Sequence, residues 1–412
     1  RTITVAGDML VETNGKITTG TTAVTNNTGA YLVFSNRSND MYNRGHKLEI
    51  KGNFTNNGNV DFSNRTTVCY SDDPDANKVD VYFTNESEDQ NVTINGETKF
   101  YAIICDKGTD MSRILNIDAQ STGLFHLYGY CYGRHYDQSH NVSEDGDFYL
   151  SLKIANGTVR LGNNIVVESL TGGHGSYGYK IDETACLWID GANVRLYSGN
   201  GYDSKALYVH GKLKMSNSAS SFVINGDDGM VNRNTADVEI EDGHLTTSYI
   251  RTSLQSGTHI GSLTINGGTL ELNRSTNTQT GHATLSLTYP NNGFNMSGGE
   301  IIIHKANGAS FDIAIGCNPG NCNITGGTVR ILCNDNADKS IVSTAPFWNL
   351  EIGSAGGKSV TIKNFTGGSG SESIAIQPLV VLNDLTIKNG GTLNTGKQDV
   401  KVGHDFVIEN GG

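Results

Sequence analysis

Long apolar runs are missing from this 412-residue chain, and so is a basic face. No stretch approaches the roughly 20 apolar residues that a membrane-crossing helix needs. The formal net charge of -12 argues against nucleic acid as a partner, because phosphates are gripped by clustered lysine and arginine. Acidity by itself names no partner and mainly keeps a large surface soluble. Charged residues make up only 17% of the chain, and proline contributes 5 residues against 51 glycines. So little charge, beside so many β-branched residues in short patterned runs, excludes a disordered chain. The i, i+3, i+4, i+7 spacing of an amphipathic helix is not evident. Neither a signal peptide at RTITVAGDML nor a sorting tail at DFVIENGG is visible. Both ends read like the middle of a patterned region, so a mature or trimmed piece of a longer polypeptide is expected, and secretion is not excluded. The seven cysteines (Cys69, Cys105, Cys131, Cys186, Cys317, Cys322 and Cys333) contain no CxxC pair. Their odd number leaves at least one without a partner in the chain, and they do not fix the redox compartment.

What the chain does contain is a repeated phrase. FNMSGGEIIIH (Phe294 to His304) is two short alternating segments around a Gly-Gly pair. LTINGGTLEL (Leu263 to Leu272), CNITGGTVRIL (Cys322 to Leu332) and LTIKNGGTLNT (Leu385 to Thr395) repeat it, with looser copies starting at Leu152, Leu187, Leu207 and Val238. Each copy reads as a strand, a glycine corner and a second strand. Leu263, Ile265, Leu270 and Leu272 fall on one face, as do Phe294, Met296, Ile301 and Ile303. Glycine at the corner permits positive φ, which β-branched residues resist. The corner glycines Gly267, Gly298 and Gly326 are 31 and 28 residues apart. A period of 20 to 50 residues marks a repeat architecture in which no unit buries its apolar face alone. A sandwich would turn every 8–12 residues and end after one domain. The expected fold is therefore all-β: a parallel β-helix, right-handed by the usual chirality of parallel connections. With roughly 20–30 residues per coil and strands about 4.8 Å apart, the rod would be roughly 70–90 Å long. Residues 1–150 are expected to be an irregular part with larger loops, and residues 151–412 regular coils continuing into further sequence.

VYFTNESEDQNVTINGETKFYAIICDKGTD (Val81 to Asp110) resembles a segment recurring in very large secreted surface proteins of Bacteroidota, the gliding-motility-associated or type IX secretion cargo. THIGSLTINGGTLEL, SLTYPNNGFNMSGGEI, STAPFWNLEI and QPLVVLNDLTI look like further blocks of that family in the same order. The likeness runs from about residue 48 onward, and its motifs are structural. It implies an exported, extracellular, adhesin-like β-helical region at the cell surface. The implied partners are the secretion and surface-attachment machinery, with surface glycans or host polymers as ligands and no membrane insertion.

Parallel β-helices also carry pectinases and polysaccharide lyases, so catalytic motifs were sought. Gly-His-Gly stands at Gly173 to Gly175 and Gly-Asp-Asp at Gly226 to Asp228. They occur in the reverse of the polygalacturonase order, and the accompanying Asn-Thr-Asp and Arg-Ile-Lys are missing. Catalytic carboxylates must flank one bond at a defined separation, whereas Asp227 and Asp228 on a strand would point to opposite sides. His174 reads as a solvated loop histidine, and no catalytic residue is assigned. Calcium would find clustered oxygens at Asp72, Asp73 and Asp75, at Asp145 and Asp147, and in NDNADK (Asn334 to Lys339). None has EF-hand or nonapeptide spacing, polar turns account for them as well, and no cofactor is required. Zinc spacing is not found among the cysteines and histidines. In FHLYGYCYGRHY, alternation places His126, Tyr128, Tyr130 and Tyr132 on one face. Such a row would stack on sugar rings, or form an aromatic ladder packed beneath a loop. Sequons at Asn53, Asn64, Asn91, Asn273 and Asn323 are no more than such an Asn- and Thr-rich chain yields, and asparagines can stack as ladders instead.

These readings converge on a non-catalytic structural or adhesive surface protein, with a carbohydrate-active β-helix enzyme or a glycan-binding module as alternatives. A groove with convergent carboxylates and a basic residue along one face would favour the enzyme. Three further expectations follow. Leu270, Ile301, Ile303, Val329 and Ile331 should be buried, with Thr269, Glu271, Thr328 and Arg330 outward. The Pro-Gly turn of CNPGNC would bring Cys317 and Cys322 within disulfide range, although either could be a small buried thiol. The final segment Val400 to Gly412 reads as an ordinary coil with Val400, Val402, Phe406 and Ile408 for a core, so the coil is expected to stack on further sequence or a partner.

Overall fold

The computed structural model describes residues 2–19, 31–34, 46–63, 79–128, 151–170, 179–198, 207–224, 229–253, 259–274, 283–306, 312–332, 338–353, 358–367 and 373–412. Among them the only helical element is a 3-10 turn at Pro319–Asn321, and everything else regular is β-strand. Strand after strand pairs in parallel with its equivalent in the next coil, the exception being the short antiparallel pair Phe365–Thr366 with Ser373–Ile374. This is the parallel β-helix that the glycine-corner spacing predicts. Contacts divide it into two compact units, Arg1–Lys205 with Gly211–Phe222 and Ala206–His210 with Val223–Gly412.

In the second unit the register threads one inward residue per coil into a continuous column. Leu245 pairs with Leu270, Leu270 with Ile301, Ile301 with Val329, Val329 with Leu350 and Leu350 with Leu385. Two residues on, Leu272, Ile303, Ile331, Ile352 and Ile387 form a second column. Leu270 and Ile331 are 0% exposed and Ile303 and Val329 1%, as the alternation requires. Thr269, Glu271, Thr328 and Arg330 are partly exposed on the other face, so the expected register is correct. Each full burial stabilises by about 1.5–3 kcal/mol. The coil length varies, 21 residues from Val329 to Leu350 and 35 from Leu350 to Leu385, while the columns stay in line. The variation is taken up between strands.

The first unit obeys the same rule with other residues. Phe54 pairs with Val92, Val92 with Ile117, Ile117 with Leu161, Leu161 with Ile189 and Ile189 with Met215. Phe54, Phe62, Phe100 and Phe125 stack inside it at centroid distances of 5.8–6.4 Å. One charged side chain lies in this interior. Lys107 is 0% exposed, and its Nζ donates to the Asn85 and Glu88 carbonyls (2.8 Å each) and to Gln90 Oε1 (2.9 Å). Burial pulls its ammonium down to about 8. The three oxygens tie the loop 84–89 to the strand Gln90–Ile94.

The Gly-Gly corners answer two separate demands. Gly299 has φ +66°, the left-handed region that costs an L-residue about 1–2 kcal/mol. Its neighbour Gly298 has no such angle, yet a Cβ there would lie 2.4 Å from the Asn266 carbonyl oxygen of the previous coil. One glycine makes the turn and the other lets the coils touch.

Outside the barrel wall, polar side chains repeat the stacking. Asn91 donates through its backbone N–H to Asn53 Oδ1 (2.8 Å) and through Nδ2 to the same atom (3.2 Å), and Asn116 Nδ2 donates to Asn91 Oδ1 (3.1 Å). Asn53 in turn donates to Asp8 Oδ1 (2.7 Å). The asparagine ladder expected in place of glycosylation is present at two of the sequons.

Candidate functional site

The aromatic run begins at the strand Phe125–Leu127, whose register with Thr98–Phe100 sets His126 beside Lys99, and Lys99 beside Asp61. Phe125 and Leu127 point inward onto the phenylalanine stack, so His126 must point out. Beyond it lies a small cleft of about 130 Å³, bounded by His126, Tyr128, Val166 and Glu168. Pockets that envelop a small molecule run to about 300–1,000 Å³. This one is smaller and open to solvent.

His126 and Tyr128 do share a face, and their rings lie parallel, 5.7 Å apart and 9° from coplanar. Tyr128 is buried. It is 6% exposed, its backbone N–H donates to the Phe100 carbonyl (3.0 Å), and burial pushes its hydroxyl up against the opposing pull of Lys99. His126 is the more exposed ring of the pair. Tyr130 and Tyr132 lie outside the described residues.

A charged network borders this pair. Lys99 Nζ is 3.1 Å from Glu97 Oε1, Asn59 Nδ2 donates to Glu97 Oε2 (2.9 Å), and His126 Nε2 is 4.0 Å from Glu97 Oε1. The Lys99 hydrogen bond holds the Glu97 carboxyl below the usual carboxylate range. Burial works against the Lys99 charge, but its bond to Glu97 and the Glu97 and Asp61 carboxylates outweigh that and keep its ammonium above its ordinary value. The groove therefore carries carboxylates and a basic residue, but Glu97 and Lys99 satisfy each other. Neither is poised to exchange a proton near neutrality.

The same holds along the second unit. Glu271 is clamped between His244 Nε2 (2.7 Å) and His304 Nε2 (2.9 Å), residues of the coils on either side. Arg330 sits between Glu300 (3.0 Å) and Glu351 (3.0 Å), again one coil each way. Arg160 Nε donates to Asp190 Oδ2 at 2.6 Å in the first unit. Cross-coil ion pairs account for these outward carboxylates.

The calcium candidates Asp72, Asp73, Asp75, Asp145 and Asp147 lie outside the described residues, as do His174, Asp227 and Asp228. Asp338, from the third acidic stretch, accepts from Ser359 N–H (3.0 Å) and Oγ (3.1 Å), which ties it to the next coil. One cluster escaped the sequence reading. Asp384, His404 and Asp405 converge because Leu385 pairs with Phe406, which a linear scan for ligand spacing cannot see. His404 Nδ1 is 2.8 Å from Asp384 Oδ1; that hydrogen bond raises the imidazole and lowers the carboxyl, giving an exposed ion pair.

Compared with family models, curated proteins and solved structures, the chain finds no match.

Proposed function

We propose that the chain is a non-catalytic structural and adhesive protein of the cell surface: a β-helical shaft, exported as cargo of a bacterial secretion system, that displays binding regions. The observation that carries this reading is the pairing of outward carboxylates across coils. Glu271, Glu300, Glu351 and Asp190 each face a cation or histidine of a neighbouring coil, so they reinforce the stack where an enzyme would hold an acid and a base apart. The export route and surface location rest on the resemblance of Val81 to Asp110 and the later blocks to the Bacteroidota surface proteins. A second reading, a glycan-binding module, is favoured by the His126–Tyr128 ring pair beside Glu97 and Lys99.

Incubation with pectin, alginate, mucin glycans and glycosaminoglycans separates these readings from the carbohydrate-active alternative. No reducing ends or unsaturated uronides should be released. Products that vanish in an Asp227→Ala variant would overturn the non-catalytic reading. Retention on a glycan array that His126→Ala abolishes, without product, would select the binding module.

A further inference from the structure

Where the strand Ile313–Ile315 ends, the chain passes through CNPGNC and re-enters the wall as the strand Cys322–Ile331. The passage is tight. Asn321 N–H donates to the Asn318 carbonyl (2.8 Å) and Cys322 N–H to the Pro319 carbonyl. It is also anchored: Asn318 N–H (2.8 Å) and Asn321 Nδ2 (3.2 Å) both donate to the Pro290 carbonyl of the previous coil. The turn thereby draws together Cys317 and Cys322, both free thiols, with Cys322 Sγ lying 3.6 Å from the carbonyl of Asn318, the residue that follows Cys317. Their surroundings differ. Cys317 is 0% exposed, with Sγ 3.7 Å from the Leu287 carbonyl, whereas Cys322 is half-buried, with Sγ 3.6 Å from the Asn318 carbonyl.

We propose that Cys317 and Cys322 form a reversible dithiol–disulfide site that exchanges with small-molecule disulfides, Cys322 attacking and Cys317 resolving. The asymmetry of burial sets the order, since only Cys322 is reachable from solvent. The electrostatics agree: the neighbouring Cys317 holds the Cys322 thiol below its ordinary range, while Cys322 and burial push Cys317 up. In the first step the Cys322 thiolate attacks one sulfur of the external disulfide. A mixed disulfide forms and one small thiolate leaves, taking up a proton. In the second, Cys317 gives its proton to solvent and attacks Cys322 Sγ, expelling the second small thiolate. The protein dithiol is oxidised by two electrons and the external disulfide is reduced to two thiols. The new bond joins the end of one strand column to the start of the next and staples the corner.

The test uses the full chain, incubated with oxidised glutathione or with dithiothreitol, trapped with an alkylating agent and mapped by mass spectrometry. The expected result is a 317–322 peptide lighter by two hydrogen atoms after glutathione, restored by dithiothreitol. Cys317→Ser should accumulate a stable glutathione adduct on Cys322, and Cys322→Ser should leave Cys317 unmodified while circular dichroism shows the β fold intact. Two alkylated cysteines after oxidation of the folded wild type would overturn the proposal. So would an unresolved glutathione adduct on the wild type, or a bond from Cys322 to Cys333 in place of Cys317.

Discussion

Gly298 and Gly320 lie 22 residues apart in the same unit, and alanine at the two positions should have opposite effects. At Gly298 the new Cβ would fall 2.4 Å from the Asn266 carbonyl oxygen, where real contacts begin at 3.0–3.4 Å. The obstacle is backbone of the neighbouring coil, so no rotamer relieves it. Coils spaced about 4.8 Å apart would have to part by roughly 1 Å at that corner. Overpacking of this kind costs about 1–3 kcal/mol, and each ladder hydrogen bond stretched beside it about 0.5–1.5 kcal/mol. With two such bonds stretched, the central values add to about 4 kcal/mol. Gly320 meets nothing within 4 Å and has an ordinary φ, so alanine there should be neutral or stabilise by about 0.4–1 kcal/mol through the unfolded chain. Hydrogen exchange read by mass spectrometry suits a long solenoid better than one melting temperature. Amides of the strand Gly293–Ala306 should exchange about a hundredfold faster or more in Gly298→Ala, and no faster than wild type in Gly320→Ala. Protection in Gly298→Ala within about threefold of wild type, on the same 1.4 kcal/mol-per-decade scale, would refute the close-approach account of the corner.

Truncating the column is the second perturbation: Ile301→Ala should cost about 2–5 kcal/mol, measured as a lower urea midpoint, whereas Thr328→Ala on the outer face should cost under about 1 kcal/mol. Lys107 supplies a pH test. Its folded value of about 8 lies below the ordinary 10.5, so under pH 8 the buried charge costs about 3 kcal/mol that the unfolded chain does not bear. That cost disappears as pH rises from about 8 to 10.5, so wild-type stability should climb relative to Lys107→Met across this window; parallel urea midpoints would disprove it.

Alternation and glycine spacing were enough to read the columns, because a single slip in register would have turned Leu270 out and Glu271 in. They were not enough to read why glycine comes in pairs. Positive φ is a local property and explains Gly299, but the contact between Gly298 and Asn266 joins residues of different coils. Lys107 was illegible for the same reason: nothing within five residues of it announces that Asn85, Glu88 and Gln90 will face it. Asp384, His404 and Asp405 became a cluster only through the pairing of Leu385 with Phe406. In the aromatic run the period was legible and the exposure was not, since Tyr128 is buried although it shares its face with the more exposed His126. Local rules were visible in one dimension; whatever depends on coil-to-coil register required the fold.

That division bears on where a function would reside. Within the ladder every position answers to a neighbour above and below, so a substitution for binding at Glu271 or Arg330 would break an ion pair with the adjacent coil. Between strands the constraint relaxes, as the coil lengths of 21 and 35 residues demonstrate. Closing a longer loop costs little, about 0.6 kcal/mol for each doubling of its length. Asp72, Asp145, Tyr130, His174 and Asp227 all fall in sequence between the described strands. A β-helix that changes its ligand while keeping its core would place the changes there, with His126 on the last paired strand, Phe125–Leu127, before one such segment.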